Sequence, residues 1–510
     1  MIISLSVLVI TIIVSGTYAL YKAQLSKNIG VNTTTHGLAY YINYVKGTDI
    51  TAATLNPSTS YEGGASSDIE FWKKDDSYDI YGKIELTVNT IGTNLSNSPA
   101  LKYAVVNNGN VLKEGSLKGT TSGSKVTILK NLYLEQTKQI YTVYVWLDNS
   151  EELGNISNES LSISVDCTAS LQKEPTAADT IISLYTSAAK VTATNNSITY
   201  NTAPSVSLMN DRLGGTTTSL DGGNIRYYGA SPNNYIYFNC SDYSNQTSST
   251  CETWRIIGVF DGKLKLIKGS QIGTYSWDNK NISTGAEDDR GKNDWTTARL
   301  MKLLNPDDYY INDNNDKDSE GNYLGYSLYY NSASGMCFTD EGVNYSACDF
   351  TSTGIKNDET RNMIAETTYN LGGWNDTGVY PNEIYEYERG TTVYTGRPTT
   401  WTGKIALAYP SDYGYAADLN QCKQTLANYD NSTCTSNNWM KAIITDNGSN
   451  HGWLLTPDSS YSYVAWYSHG NVGEYFTGAA RGAVPVLSLS SKLGIESGDG
   501  SSSNPYKLSA

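Results

Sequence analysis

Short runs of alternating apolar and polar residues fill the first third of the chain, and half-buried strands produce this pattern. These runs lie at 40–45, 84–88, 101–106, 139–147 and 161–165. Turn residues separate the runs, and Asn107-Asn108-Gly109 is a hairpin signal. Because the strands are short and closely spaced, we expect residues 28–167 to form an all-β antiparallel sandwich of the immunoglobulin-like or jelly-roll kind.

Two further patterns follow along the chain. Residues 168–222 are rich in Ala, Thr, Ser and Asn, and they predict a solvated linker with one short helix near 179–190. Residues 223–510 combine strand-like alternation with helical periodicity, and helices are expected over 295–305 and 358–371. This combination predicts one mixed α+β domain, so the whole protein is expected to be multidomain.

The opening segment, residues 1–27, is strongly apolar, and its first charge is Lys22. About 20 apolar residues suffice for a helix that crosses a bilayer. Gly16-Thr17-Tyr18-Ala19 fits a loose signal-peptide cleavage site, although no basic residues precede the apolar stretch. We expect an N-terminal hydrophobic helix that is either a cleaved signal peptide or a membrane anchor, and both alternatives stay open.

The cysteines indicate the compartment in which the protein works. Six of the seven form three couples along the chain, Cys240 with Cys251, Cys337 with Cys348, and Cys422 with Cys434. None of the couples has the C-x-x-C spacing of a metal site, so nearest-neighbour disulfides are predicted. Disulfides persist in oxidising compartments, which predicts an extracellular or cell-surface protein. For Cys167, a buried thiol is favoured over an intermolecular bond.

Composition removes several classes of function. The net charge is -15, which argues against a nucleic-acid backbone or an anionic membrane surface as partner. The chain has only three histidines and lacks the G-x-S-x-G, H-E-x-x-H and P-loop motifs, so no catalytic residue is identified. A non-catalytic protein is therefore favoured, and an enzyme in residues 223–510 remains an alternative.

Two constellations are candidate binding sites. Asp316, Asp318 and Glu320 precede Gly321 and resemble half of a calcium loop, although a solvated surface loop is the favoured interpretation. Trp466, Tyr467 and His469 lie in an aromatic stretch and form a candidate ligand-binding site. Because aromatic residues that alternate along a strand usually build cores, core packing is the favoured interpretation of this stretch.

The first third of the chain resembles the camelysin/TasA-type surface proteins of Gram-positive bacteria. The similarity is carried by Gly16-Thr17-Tyr18-Ala19, by the stretch 140–148 and by the strand 162–165. Members of that group are exported, and some assemble into extracellular fibres in which a donated strand completes a neighbour's sheet. The resemblance therefore implies a possible self-associating fibre subunit.

The second half resembles a domain of unknown function, the DUF6273 type, on exported proteins of low-GC gut bacteria. The matching segments are 295–305, 408–414, 453–457, 484–489 and 497–506. The resemblance implies a fold like that of C-type lectins and formylglycine-generating enzymes. Ala483-Val484-Pro485 stands where that family often has Val-Arg-Pro, which puts a site based on that arginine in doubt.

These observations favour a non-catalytic cell-surface protein that adheres to or recognises an extracellular glycan or protein ligand. The first alternative is a subunit of an extracellular fibre or biofilm matrix that assembles through residues 28–167. The second is an enzyme in residues 223–510. The adhesin is expected to stay monomeric, whereas the fibre subunit is expected to polymerise as its concentration rises.

Overall fold

The computed structural model of the protein describes residues 23–24, 41–52, 55–151, 153–156, 158–188, 191–194, 196–199, 205–213, 222–279, 290–312, 317, 321, 323–339 and 345–509. The chain divides into two compact units, Met1–Glu174 and Pro175–Ala510, called unit 1 and unit 2. Apart from residues 23–24, the predicted N-terminal helix lies outside the described residues. In the described part of the chain, no helix is both long enough and apolar enough to span a bilayer.

Unit 1 is a β-sandwich, as its alternating sequence predicts. Its strands are β1 (Ala23–Gln24), β2 (Ile42–Val45), β3 (Ile50–Thr51), β4 (Pro57–Ser58), β5 (Ala65–Lys73), β6 (Tyr81–Ile91), β7 (Leu101–Asn107), β8 (Asn110–Ser116), β9 (Lys125–Tyr133), β10 (Ile140–Asp148) and β11 (Leu161–Ser170). A short helix, α1 (Thr93–Asn97), follows β6. One sheet has the order β1-β11-β6-β9 with β3 also on β11, and the other has the order β2-β5-β10-β7-β8 with β4 also on β10.

Apolar side chains of the two sheets form the core of unit 1. Along β5 and β6 buried residues alternate with more exposed ones, which places one face of each strand in the core. Phe71 is fully buried, and a Cβ on Gly82 would lie only 2.4 Å from its ring. The free Cys167 is also buried in this core. Burial raises the pKa of its thiol well above the ordinary value, which keeps the sulfur protonated.

Unit 2 combines several sheets with short helices. Its strands are β12 (Thr192–Thr194), β13 (Ser197–Thr199), β14 (Leu208–Asn210), β15 (Ile225–Tyr227), β16 (Tyr235–Phe238), β17 (Glu252–Phe260), β18 (Lys263–Lys268), β19 (Thr274–Ser276), β20 (Ser334–Phe338), β21 (Tyr345–Asp349), β22 (Thr367–Asn370), β23 (Thr400–Gly403), β24 (Ile405–Ala406), β25 (Gly452–Pro457), β26 (Val464–Ser468), β27 (Val472–Phe476), β28 (Ala480–Gly482), β29 (Val486–Ser488), β30 (Gly494–Ser497) and β31 (Lys507–Ser509). Its helices are α2 (Ala177–Ser187), α3 (Arg299–Leu304), α4 (Asp358–Met363), α5 (Pro381–Glu388), α6 (Pro410–Tyr415), α7 (Ser432–Ser436) and α8 (Lys441–Ile444).

Two sheets organise unit 2. The larger has nine strands in the order β13-β12-β14-β15-β17-β18-β29-β24, with β16 also on β17. The smaller has five strands in the order β19-β28-β25-β26-β27. The pairs β20-β21, β22-β23 and β30-β31 form separate two-stranded sheets. Chain segments far apart in sequence are thus brought together, since β28 lies between β19 and β25.

The described part of the predicted linker, 168–222, belongs to folded structure, so this prediction is corrected. Residues 168–170 complete β11, and α2 begins two residues after Pro175. Ala177 and Ile181 of α2 are buried in the core of unit 2, and β12 to β14 join its largest sheet. Composition alone misled here, because a capping box between Thr176 and Asp179 starts an amphipathic helix.

Both predicted helices of the mixed domain are shorter in the structure. The segment 295–305 is helical only from Arg299, because Asp294 accepts a hydrogen bond from the Thr296 N–H and caps a turn instead. The segment 358–371 is helical only to Met363 and then enters β22, which pairs with β23. Local periodicity is outweighed here by long-range strand pairing.

Three disulfides join the cysteine couples that the spacing predicts, Cys240–Cys251, Cys337–Cys348 and Cys422–Cys434. All three lie in unit 2. Each disulfide closes a short loop, so the predicted nearest-neighbour pairing of the cysteines is confirmed. Their presence indicates an oxidising compartment.

Candidate functional site

One face of the five-stranded sheet in unit 2 carries a surface cluster of rings and cationic groups. Its members are His451, Tyr467, His469, Tyr475 and Arg481, called the His–Tyr cluster. Four elements supply them, since His451 precedes β25, Tyr467 and His469 lie at the end of β26, and Tyr475 and Arg481 lie on β27 and β28. The sheet order β28-β25-β26-β27 brings these elements together.

Strand pairing fixes the position of each ring. Tyr467 pairs with Gly473 across β26 and β27, and a Cβ at that glycine would lie 3.1 Å from the Tyr467 ring. Tyr475 lies two residues beyond Gly473 and therefore on the same face of the sheet. His469 sits in the turn between the strands, where Gly470 adopts a φ of +103° that favours glycine. The N–H of Gly482 donates to the His451 carbonyl over 2.7 Å.

The rings stack closely within the cluster. The His451 ring is nearly parallel to Tyr467, with centroids 5.1 Å apart and an interplanar angle of 4°. Its centroid lies 4.0 Å from that of His469. The Arg481 guanidinium lies 4.4 Å from the Tyr475 centroid and 5.1 Å from that of Tyr467, within the range of cation–π attraction.

The polar atoms of the cluster are incompletely satisfied by the protein itself. His451 Nδ1 and Arg481 Nε are buried and make no hydrogen bond with the described residues. Burial and the neighbouring His469 and Arg481 lower the pKa of His451, since these groups disfavour a further positive charge. His469 and Tyr475 are exposed, and 38 % of the Tyr475 surface is accessible to solvent. A buried donor without a partner costs about 1–3 kcal/mol, so the cluster is not optimised for stability alone.

The structure separates the three residues predicted as a ligand site. Tyr467 and His469 belong to the cluster, but Trp466 points to the other face of β26, where it is fully buried. Its indole N–H donates to the Trp374 carbonyl over 3.2 Å. Trp466 is therefore a core residue, and its place in the predicted site is corrected because adjacent strand residues face opposite sides.

Sequence reasoning missed His451, Tyr475 and Arg481. Gly473 and Tyr475 are two residues apart in the sequence, but only the pairing of β26 with β27 shows that they share a face of the sheet with Tyr467. Arg481 lies two residues before Ala483-Val484-Pro485, and its strand β28 pairs with β19 and β25. Asp316, Asp318 and Glu320, the predicted calcium loop, lie outside the described residues.

A pair of acidic side chains lies on the opposite face of the same sheet. Glu474 pairs with Trp466 across β26 and β27, and its Oε1 and the Oδ2 of Asp458 are buried without a hydrogen-bond donor among the described residues. Burial and the neighbouring Asp458 raise the pKa of Glu474 to about 7. Burial likewise raises the pKa of Asp458. A proton shared between the two carboxyl groups accounts for both unsatisfied oxygens.

A buried charged network lies elsewhere in unit 2. Arg226 donates to Asp211 over 2.5 Å and to Asp412 over 2.9 Å, and Lys265 also bonds Asp412. Although burial favours the neutral acid, Lys265 and Arg226 hold the pKa of Asp412 below its usual value. Asp412 is part of the segment 408–414, so this motif has a structural role in the core.

Two pockets in the described part of the chain are small. One, in unit 1, has a volume of about 20 Å³ and is lined by Lys83, Asn131 and Glu174 among others. The other, in unit 2, has a volume of about 10 Å³ and is lined by Arg299 and Phe338 among others. Each has room for about one water molecule. Neither is lined by a residue of the His–Tyr cluster.

No protein-family model and no curated protein matches the chain. Among solved structures, the chain is similar to a crystal structure of a tryptophan-to-alanine mutant of HCR/D. The two share 13 % sequence identity over 53 % of this chain and 77 % of that chain, with a TM-score of 0.15.

Proposed function

We propose that the protein is a non-catalytic cell-surface protein that recognises an extracellular glycan or protein through unit 2. The observation that carries this proposal is the His–Tyr cluster, in which the exposed rings of His469 and Tyr475 lie against the half-buried rings of His451 and Tyr467 on a sheet. Aromatic rings with a polar group at one end are favoured at recognition surfaces. A site on strands is also held more precisely than a site on loops.

The fold and the disulfides support this proposal. Three disulfides in unit 2 agree with work outside the cell. We assign unit 1 to the camelysin/TasA-type sandwiches, with an immunoglobulin-like or jelly-roll topology, and unit 2 to the DUF6273-type domains with a C-type-lectin-like fold. Under this assignment unit 1 displays unit 2, and the N-terminal segment directs export or anchors the protein in the membrane.

The test is a binding screen of the purified full chain against extracellular glycans and matrix proteins, with and without calcium. We expect specific binding that Tyr467→Ala or His469→Ala abolishes, while Tyr345→Ala, an exposed tyrosine outside the cluster, leaves it unchanged. Calcium dependence would assign a role to Asp316, Asp318 and Glu320. Absence of binding by folded, oxidised protein would contradict the proposal.

A second candidate function, the fibre subunit, is favoured by one feature of unit 1. β11 pairs along its length with β6, but on its other side only Ser162-Ile163 and Thr168-Ala169 have strand partners among the described residues. Residues 164–167 between them have no strand partner on that side among the described residues, although the Tyr44 hydroxyl donates to the Val165 carbonyl over 3.4 Å, and a donated segment could pair here. Light scattering over a concentration series tests this function. Growth into polymers would support the fibre subunit, and a constant monomer mass would contradict it.

A further inference from the structure

The His–Tyr cluster has a charge opposite to that of the whole chain. The net charge of the protein is -15, yet the cluster holds one arginine and two histidines. None of these three side chains forms an ion pair with a described residue. A bound anion would give Arg481 a charged partner and would offset the repulsion that His451 experiences from His469 and Arg481.

Among the described residues, no acidic side chain fills this role. Glu474 lies on β27 next to Tyr475, but strand alternation directs it to the opposite face of the sheet. Asp430 lies beside Gly470, where the Lys441 side chain also lies. Among the described residues Arg481 therefore has no carboxylate partner, and the cluster reaches solvent at the exposed side chains of His469 and Tyr475.

The neutral part of the cluster suits a sugar ring. Tyr467 and Tyr475 present aromatic surface, and the apolar C–H groups of a pyranose ring pack well against such rings. Two side-chain amides border the cluster, Asn450 before His451 and Gln271 against Gly482 of β28; Asn450 Nδ2 donates to Gln271 Oε1 and Gln271 Nε2 to the Ile444 carbonyl, so a sugar would share these groups with the protein. Amides both donate and accept hydrogen bonds, as the hydroxyl groups of a sugar require.

We propose that the His–Tyr cluster binds a uronic acid residue of an extracellular polysaccharide. In this arrangement the pyranose ring packs against Tyr475, and its carboxylate lies at Arg481 and the two histidines. Arg481 offers the carboxylate charge-assisted hydrogen bonds from its Nη atoms, since its Nε is buried and Nη1 also donates to the Ala480 carbonyl over 3.3 Å. This inference rests on the proposed function and specifies the ligand class of the same site.

Matched probes separate this inference from the proposed function. Tetragalacturonic acid and its methyl ester have the same sugar rings, but only the acid carries carboxylates. We expect titration calorimetry of the full chain to show at least about tenfold tighter binding of the acid, because hydrogen bonds to charged groups are stronger than those to neutral groups. Equal affinity for acid and ester would overturn the inference and leave the proposed function standing. If the chain binds neither probe and no other ligand in the screen, the result counts against the inference and against the proposed function.

Single-residue variants then test whether the acid binds at the His–Tyr cluster. Arg481→Gln is expected to weaken binding of the acid about tenfold or more and to leave binding of the ester unchanged. Arg290→Gln is the matched control, because this exposed arginine also stacks on a tyrosine, Tyr463, outside the cluster. If Arg481→Gln does not fold, Tyr475→Ala provides the test, since this side chain is exposed. Undiminished binding by folded variants would overturn the assignment, and equal binding of poly-glutamate would overturn the sugar class.

Discussion

The two units reach a folded core by different means. Unit 1 closes two sheets over an alternating apolar core, and its one cysteine is a buried thiol. Unit 2 contains all three disulfides and buries a network of opposite charges around Asp412. The simple alternating pattern of unit 1 is therefore sufficient for a sandwich, whereas the irregular loops of unit 2 are held by covalent and ionic contacts. A surface that binds ligands is expected where such loops and short strands meet.

Reduction of the disulfides is expected to have the largest effect, because only unit 2 has disulfides among the described residues. Reduction with dithiothreitol is predicted to unfold or strongly destabilise unit 2, because each disulfide that closes a short loop contributes roughly 2–4 kcal/mol. Unit 1 has no disulfide among its described residues and is expected to stay protected. Hydrogen exchange resolved by unit measures both responses. Equal loss of protection in the two units would contradict this account.

Phe71→Ala probes the apolar core of unit 1. The side chain is fully buried, so the substitution is predicted to lower the free energy of unfolding of unit 1 by about 3–5 kcal/mol. Denaturant unfolding followed by hydrogen exchange measures the loss, with protection in unit 2 as the internal control. Tyr78→Ala, on an exposed side chain of the same unit, should change stability by less than about 1 kcal/mol. A small effect of Phe71→Ala would mean that the sandwich core is not what stabilises unit 1.

Asp412→Ala probes the charged network of unit 2. Removal of this carboxylate leaves Arg226 and Lys265 buried without the ion pair that each forms with Asp412. The predicted loss in the free energy of unfolding is about 3–5 kcal/mol. Asp358→Ala is the control, because its ion pair with Arg361 is exposed at the aspartate and contributes less than about 1 kcal/mol. Chemical denaturation of the oxidised protein compares the two variants. Equal losses would show that the buried network is no more important than a surface pair.

The smallest predicted effect concerns the pair of Asp458 and Glu474. The folded state raises the pKa of Glu474 from 4.5 to about 7, so it binds more protons than the unfolded state between these values. The contribution to stability is therefore fully present below about pH 4.5 and is lost as the pH rises through 7. Because the group is partly exposed, the change stays well below the roughly 3 kcal/mol that the full shift represents.

Glu474→Gln sharpens this prediction. The amide carries no charge at either pH, so the variant should lose less stability than the original protein between pH 5 and pH 8. Melting temperatures across this range, with Glu62→Gln as an exposed control, measure the difference. An unchanged pH dependence in Glu474→Gln would exclude the shared proton.

Sequence patterns predicted the local features and missed the long-range ones. The strands of unit 1, the disulfide couples and two members of the His–Tyr cluster, Tyr467 and His469, follow from local alternation and spacing. Arg481 could not be placed, because β28 reaches the cluster only through the order of the five-stranded sheet. The burial of Trp466 depends on which face of β26 meets the core, and a one-residue shift reverses it.

The affinity of the Tyr475→Ala variant for its ligand reports most directly on recognition by the His–Tyr cluster. The measurement is the affinity of the full chain for the glycan or protein that it binds most tightly in the screen. We predict a weakening of about tenfold or more for Tyr475→Ala and no change for Tyr345→Ala, whose side chain is 46 % exposed outside the cluster. Equal affinities for the two folded variants and the original protein would contradict the account.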